Sequence, residues 1–74
     1  MQITVKLFAT FRAGRFVIEN RNYPDGTTVH DIVKDLALPE PQLGILMINH
    51  KHVNLDRVLV EGETVAIFPL VGGG

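Results

Sequence analysis

The chain has 74 residues, 46% of them hydrophobic, with seven Lys and Arg against eight Asp and Glu and no cysteine. A chain this short makes one small domain that buries roughly 60% of its unfolded surface, which leaves little room for both a core and a deep pocket; it is expected to work with partners rather than as a self-contained enzyme. The lack of cysteine excludes a disulfide framework, a thiolate zinc site and a cysteine nucleophile. A net charge of −1 lacks the basic surplus of a nucleic-acid binder, and no apolar run nears the roughly 20 residues that span a bilayer.

Gln2 to Ala9 reads as a strand, because Ile3, Val5 and Leu7 alternate with Gln2, Thr4 and Lys6. Phe11-Arg12-Ala13-Gly14 reads as a turn with Gly14 able to take positive φ. Arg15 to Asn22 reads as a second strand with Phe16 and Ile18 facing inward, and the two strands are expected to form an antiparallel hairpin. Pro24-Asp25-Gly26 breaks it. Val29, Ile32, Val33 and Leu36 then fall at helical spacing on one face, with Thr28 placed as N-cap and Asp31 completing a capping box. Pro39 and Pro41 stop this helix.

Gly44 to Asn49 carries an unbroken apolar run, Ile45 to Ile48, expected as a strand covered on both faces. Asn49-His50-Lys51 makes a tight turn, from which His52-Val53-Asn54 pairs back, and Thr64 to Phe68 is the last strand, with Pro69 ending its ladder. One helix covers one face of one sheet, so the class is α+β: a four- or five-stranded mixed sheet packed on one helix, with the first and last strands as the central pair. That order is the β-grasp, or ubiquitin-like, roll. Residues 1–71 are expected to form the domain and 72–74 a flexible glycine tail. The expected core is Ile3, Val5, Leu7, Ile18, Val29, Ile32, Val33, Leu36, Val65 and Ile67.

The chemistry is expected at the chain's end. Gly72, Gly73 and Gly74 follow the last strand, and only a segment without side chains can thread a narrow channel with its backbone against the walls. The carboxylate of Gly74 is a usable nucleophile toward ATP, and the acyl-adenylate so formed would be a good electrophile. No side chain is needed as catalyst, and none is assigned. Phe8, Phe68 and Leu70 lie by alternation on the sheet face opposite the core set, and parallel pairing of the first and last strands would put the two rings side by side at the base of the tail. An exposed aromatic cluster there is the expected partner-docking surface. His50 and His52 lack further ligands nearby, so no metal site is expected. Met1 to Lys6 has no signal-peptide profile, and the expected location is cytoplasmic.

Val5-Lys6-Leu7-Phe8-Ala9-Thr10-Phe11-Arg12, Pro24-Asp25-Gly26-Thr27-Thr28-Val29 and Glu61 to Gly73 resemble the opening strand, the turn into the helix and the last strand and tail of MoaD proteins, the small sulfur-carrier subunit of molybdopterin synthase. The related ThiS carriers of thiamine synthesis share fold and tail but usually carry an Asn-Gly turn soon after strand one, which this chain lacks. The resemblance implies a carrier that binds no cofactor itself. A ubiquitin-activator-like adenylating enzyme (MoeB/ThiF type) would use ATP and magnesium to activate the terminal glycine, a sulfur donor would displace AMP to leave a thiocarboxylate, and a MoaE-like large subunit of molybdopterin synthase would receive the tail. It implies neither nucleic acid nor membrane as partner. Three departures stand out: His50 replaces a common turn glycine, the connection at Ala13-Gly14 is short, and the tail has three glycines where two are usual. Either Gly74 is activated, or trimming exposes Gly73; the overhang shifts the carboxylate by up to roughly 3.5 Å. A ThiS-type thiamine carrier, a ubiquitin-like protein modifier and an inert interaction domain are the alternatives.

Overall fold

The computed structural model describes residues 1–70. Strand β1 (Gln2–Leu7) pairs antiparallel with β2 (Ile18–Asn22) and parallel with β5 (Thr64–Pro69). On the other side of β5 lie β3 (Leu43–Ile48) and the two-residue β4 (Lys51–His52), both antiparallel to their neighbours, giving the order β2-β1-β5-β3-β4. The first and last strands are therefore the central pair, as their β-branched alternation implied. One helix, α1 (Val29–Asp35), packs on one face of this sheet. The whole is a β-grasp roll.

Alternation fixes which face is buried. Ile3, Val5 and Leu7 from β1 and Val65 and Ile67 from β5 are completely enclosed, together with Val29, Ile32 and Val33 from α1. One expected core residue sits elsewhere, and a second lies at the core's edge. Ile18 is 55% exposed, because its partner in register is Lys6, a residue of the outer face. The expected strand Arg15 to Asn22 begins only at Ile18, so Phe16 and Ile18 do not share one alternating run. Phe16 packs against the core, and Leu36, at the helix end, is half-buried and packs against it too. The inner side of β2 is instead covered by a polar cluster: Arg21 binds Glu19 at 2.7 Å and Asp35 at 3.1 Å, and the Tyr23 hydroxyl donates to Asp35 at 3.1 Å. Burial and the hydrogen bond to Asp35 hold the Tyr23 hydroxyl proton, raising its pKa above the usual value, with Arg21 opposing.

Of four further core residues, three come from irregular backbone and one, Ile48, ends β3. The chain leaves β1 through Ala9 at φ 51° and enters a short 3₁₀ turn (Ala9–Arg12), which swings Phe11 into the core at 2% exposure. The helix α1 stops before the prolines are reached. Ala37 takes φ 54°, its N–H donates to the Lys34 carbonyl and the Leu38 N–H to the Val33 carbonyl, both at 3.0 Å. This is a Schellman motif with Leu38 as its buried apolar contact. The Arg15 guanidinium donates to the Leu36 and Ala37 carbonyls at 3.0 and 3.1 Å, covering acceptors the helix leaves open. Ile48 and Leu59 complete the core.

The helix start is equally closed. The Asp31 N–H donates to the Thr28 hydroxyl at 3.2 Å and the Thr28 N–H to the Asp31 carboxylate at 2.9 Å, the expected capping box. These bonds hold the Asp31 carboxyl below its ordinary pKa. The next orphan donors, Val29 and His30 N–H, reach the Arg57 and Leu55 carbonyls at 3.0 and 2.9 Å, so the loop after β4 is laced to the helix. The loop itself is pinned at Glu63, whose carboxylate accepts from Arg57 Nη1 and Nη2 at 3.0 and 2.7 Å and from the Val60 N–H at 2.7 Å. The Glu63 carbonyl then accepts from Thr4 N–H at 3.0 Å, setting β5 beside β1.

The Arg57 hydrogen bonds depress the Glu63 pKa below its ordinary 4.5. A depressed carboxylate stabilises the fold fully above its unfolded-state value and loses that contribution as pH falls through the native one. Glu63→Gln should therefore cost about 1 kcal/mol at neutral pH, and the gap between parent and variant should close in strongly acid buffer. Denaturant titrations at the two pH values check this; a gap that persists in acid would contradict it.

Candidate functional site

Parallel pairing of β1 and β5 puts Leu7 opposite Ile67, and the residue after each is a phenylalanine. Phe8 and Phe68 stack with ring centroids 4.0 Å apart and planes 11° from parallel. Such a pair contributes about 1 kcal/mol beyond the area it buries. The Arg12 guanidinium lies over the Phe8 ring at 5.2 Å, its Nε held by the Leu7 carbonyl at 2.7 Å. The rings cover each other enough to be half-buried rather than exposed. Leu70 is 64% exposed. The structure thus brings Phe8 and Phe68 together and places Leu70 two residues further along the same strand exit.

Beside the stack is a shallow depression of about 210 Å³ lined by Lys6, Phe8, Met47, His50, Ala66 and Phe68. Register shows why these residues meet. Lys6 is opposite Ala66, Ala66 opposite Met47 and Phe68 opposite Ile45, so all lie on the outer face of the sheet. The outer-facing strand residues also include Thr4, Asn20 and Ile18, and none of them is a carboxylate. Thr4 and Asn20 satisfy each other at 2.6 Å. This face offers apolar area, a cation at Lys6 and another at Arg12.

Lys6 falls on this face by alternation, whereas Arg12, Ile45 and Met47 are not legible from the sequence as members of it. Met47 and Ile45 sit within an apolar run that reads as buried on both sides. The signal that finds them is the antiparallel register against Ala66 and Phe68. His50 occupies the β3–β4 turn with φ 65°, after Asn49 at φ 53°. A two-residue turn with both φ values positive is the type I′ geometry that suits Asn-Gly, so a side chain at position 50 is strained where glycine would not be. His52 is on β4 opposite Met47, and His30 pairs instead with Glu40. Gly72, Gly73 and Gly74, and the expected domain boundary at 71, lie outside the described residues.

A small β-grasp domain with an apolar outer face at its carboxyl-terminal strand is ubiquitin-like in architecture. The ThiS family model matches residues 5–74, and the chain belongs to that family. The family comprises small ubiquitin-like sulfur carriers and modifiers, not catalytic by themselves. Among solved structures, SAMP1 from Haloferax volcanii is similar over 100% of both chains, with a TM-score of 0.77 and 24% identity. A provisionally named molybdopterin converting factor subunit 1 from Pyrococcus furiosus is similar over 96% of this chain and 99% of its own, with a TM-score of 0.76 and 26% identity. Subunits 1 and 2 of the molybdopterin-converting factor of Helicobacter pylori 26695 are seen as a complex in a third structure, similar over 100% of both chains with a TM-score of 0.67 and 18% identity. No curated protein matches the chain at a significant level. Among the described residues no helix is long and apolar enough to cross a membrane.

Proposed function

We propose that the chain is a sulfur carrier for molybdopterin synthesis, activated at its terminal glycine. The observation that carries the proposal is the juxtaposition just described: the strand that leads into the glycine tail is also the strand that bears the outer apolar face. A partner that grips Phe8, Phe68 and Leu70 is thereby placed next to the chain's end. Family membership supports a carrier, and the likeness to the Pyrococcus furiosus subunit favours molybdopterin over thiamine as the destination.

The steps need no side chain of this protein. An oxygen of the carboxylate of Gly74, or of Gly73 after trimming, attacks the α-phosphorus of ATP on an adenylating partner, and pyrophosphate leaves. Magnesium belongs to that partner's ATP. A sulfur nucleophile from a donor then attacks the acyl carbon and AMP leaves; where the donor is a persulfide, a thiol cleaves the S–S bond to free the thiocarboxylate. The sulfur is passed to a pterin precursor in a large partner subunit, and hydrolysis of the acyl link restores the carboxylate. Gly72 and Gly73 serve as the part that threads the partner's channel.

A second reading, a ubiquitin-like modifier, draws on the fold shared with SAMP1. Both readings begin with adenylation and differ in the acceptor. Intact-mass spectrometry of the protein isolated from its own cells separates them. The carrier reading expects a population heavier by the difference between sulfur and oxygen, whereas isopeptide remnants on other proteins' lysines, with no sulfur gain, would favour the modifier. The docking face has its own test. Phe68→Ala should weaken affinity for the adenylating partner by roughly 30-fold, the equivalent of about 2 kcal/mol for an aromatic anchor, while the variant stays folded because the ring is outside the helix-covered core. Unchanged affinity in calorimetry would contradict it.

A further inference from the structure

Between the docking ring of Phe68 and the last described residue, Leu70, stands Pro69, which has no N–H to give to a ladder. The β3·β5 pairing nevertheless continues past it. Leu43 is opposite Pro69 and Ile45 opposite Phe68, so Gly44 is the extra residue of a β-bulge on β3. Beyond the proline the Leu70 N–H donates to the Gln42 carbonyl at 2.8 Å. A Cβ at position 44 would lie 2.5 Å from the Pro69 carbonyl oxygen, 2.7 Å from its carbon and 2.9 Å from the Leu70 nitrogen. These are backbone atoms, so no side-chain rotation relieves the overlap.

We infer that Gly44 is a positioning residue for the terminal carboxylate: by letting β3 close onto Pro69 and Leu70, it fixes the point and direction from which the tail leaves the docking face. The inference rests on the carrier reading and adds to it the residue that sets its geometry. Four residues follow Leu70, a span of at most roughly 14 Å. With the docking ring held by a partner, the launch point of so short a tail decides whether the carboxylate reaches an in-line approach to ATP. Displacements of about 1 Å at a reacting group can cost roughly 100-fold in rate. A Cβ at 44 must push the Pro69–Leu70 backbone away, while Phe8 and Phe68 remain on their own strands to be gripped.

The test separates gripping from launching. Parent and Gly44→Ala are compared in ATP–pyrophosphate exchange with a MoeB/ThiF-type adenylating enzyme from the same organism, and in amide hydrogen exchange of the free proteins. Gly44→Ala should lower kcat about 10-fold or more with KM within about threefold, and should lose protection of the Leu70 N–H while the β1 and β5 core amides keep theirs. A variant that is only less stable would show parental kcat once corrected for the folded fraction, and this result overturns the inference. Leu70→Pro, set against Leu70→Ala, removes the N–H to Gln42 without filling the bulge and guards against misfolding of the Ala variant. The proline variant should lose kcat relative to the alanine one, and equal kcat in the two would overturn the inference. If the parent supports exchange and gains sulfur but Gly44→Ala does so equally fast, the positioning role alone fails. If the parent supports no exchange, the carrier reading fails, and the positioning role with it.

Discussion

The parallel pairing of β1 and β5 is the constraint on which the rest of this structure depends. It joins the first strand of the chain to the last, at the centre of the sheet, and so ties the core to the carboxyl terminus. On the inner face it stacks Ile3, Val5 and Leu7 beside Val65 and Ile67 under α1. On the outer face the same register aligns Lys6 with Ala66 and sets Phe8 against Phe68. The burial that stabilises the domain and the surface proposed for docking are therefore two sides of one strand pair. A parallel pair needs a long crossover, and here that crossover contains β2, α1, β3 and β4 in turn.

The polar groups around this pair hold its ends. Glu63 fixes the entry to β5 through Arg57 and Val60. Gly44 and the Gln42 carbonyl hold its exit at Pro69 and Leu70. The capping box at Thr28 and Asp31, together with the Schellman turn at Ala37, closes both ends of a helix of seven residues under the sheet. Such a helix is too short to persist alone, so its position follows from the core side chains and these end contacts.

Much of this was legible in residue order. Alternation in β1 and β5, helical spacing at Val29, Ile32 and Val33, and the Thr28 and Asp31 pair each carry a local rule that the structure obeys. The Phe8–Phe68 pair was legible because alternation and the parallel pairing together predict the adjacency of the two rings. What escaped depends on backbone turns that leave little trace in composition. Phe11 enters the core because Ala9 adopts positive φ, and Leu38 because Ala37 does; alanine does not announce that conformation. Ile18 faces outward because its register sets it opposite Lys6, and the inner side of that edge strand is filled by Arg21, Tyr23 and Asp35, the last joined to the other two only in space. Met47 and Ile45 looked buried within an apolar run. The bulge at Gly44 could not be anticipated, since it is defined by the approach of Pro69 from the far end of the chain.

The central claim is that the outer face of the β1·β5 pair docks a partner and so delivers the chain's end to it. The structure of the protein bound to its adenylating enzyme with ATP tests this most directly. It should bury Phe8, Phe68 and Leu70 against the enzyme and place the terminal glycine carboxylate beside the α-phosphate. A complex in which α1 or the β2 edge makes the contact, with the Phe8–Phe68 stack left in solvent, would contradict it.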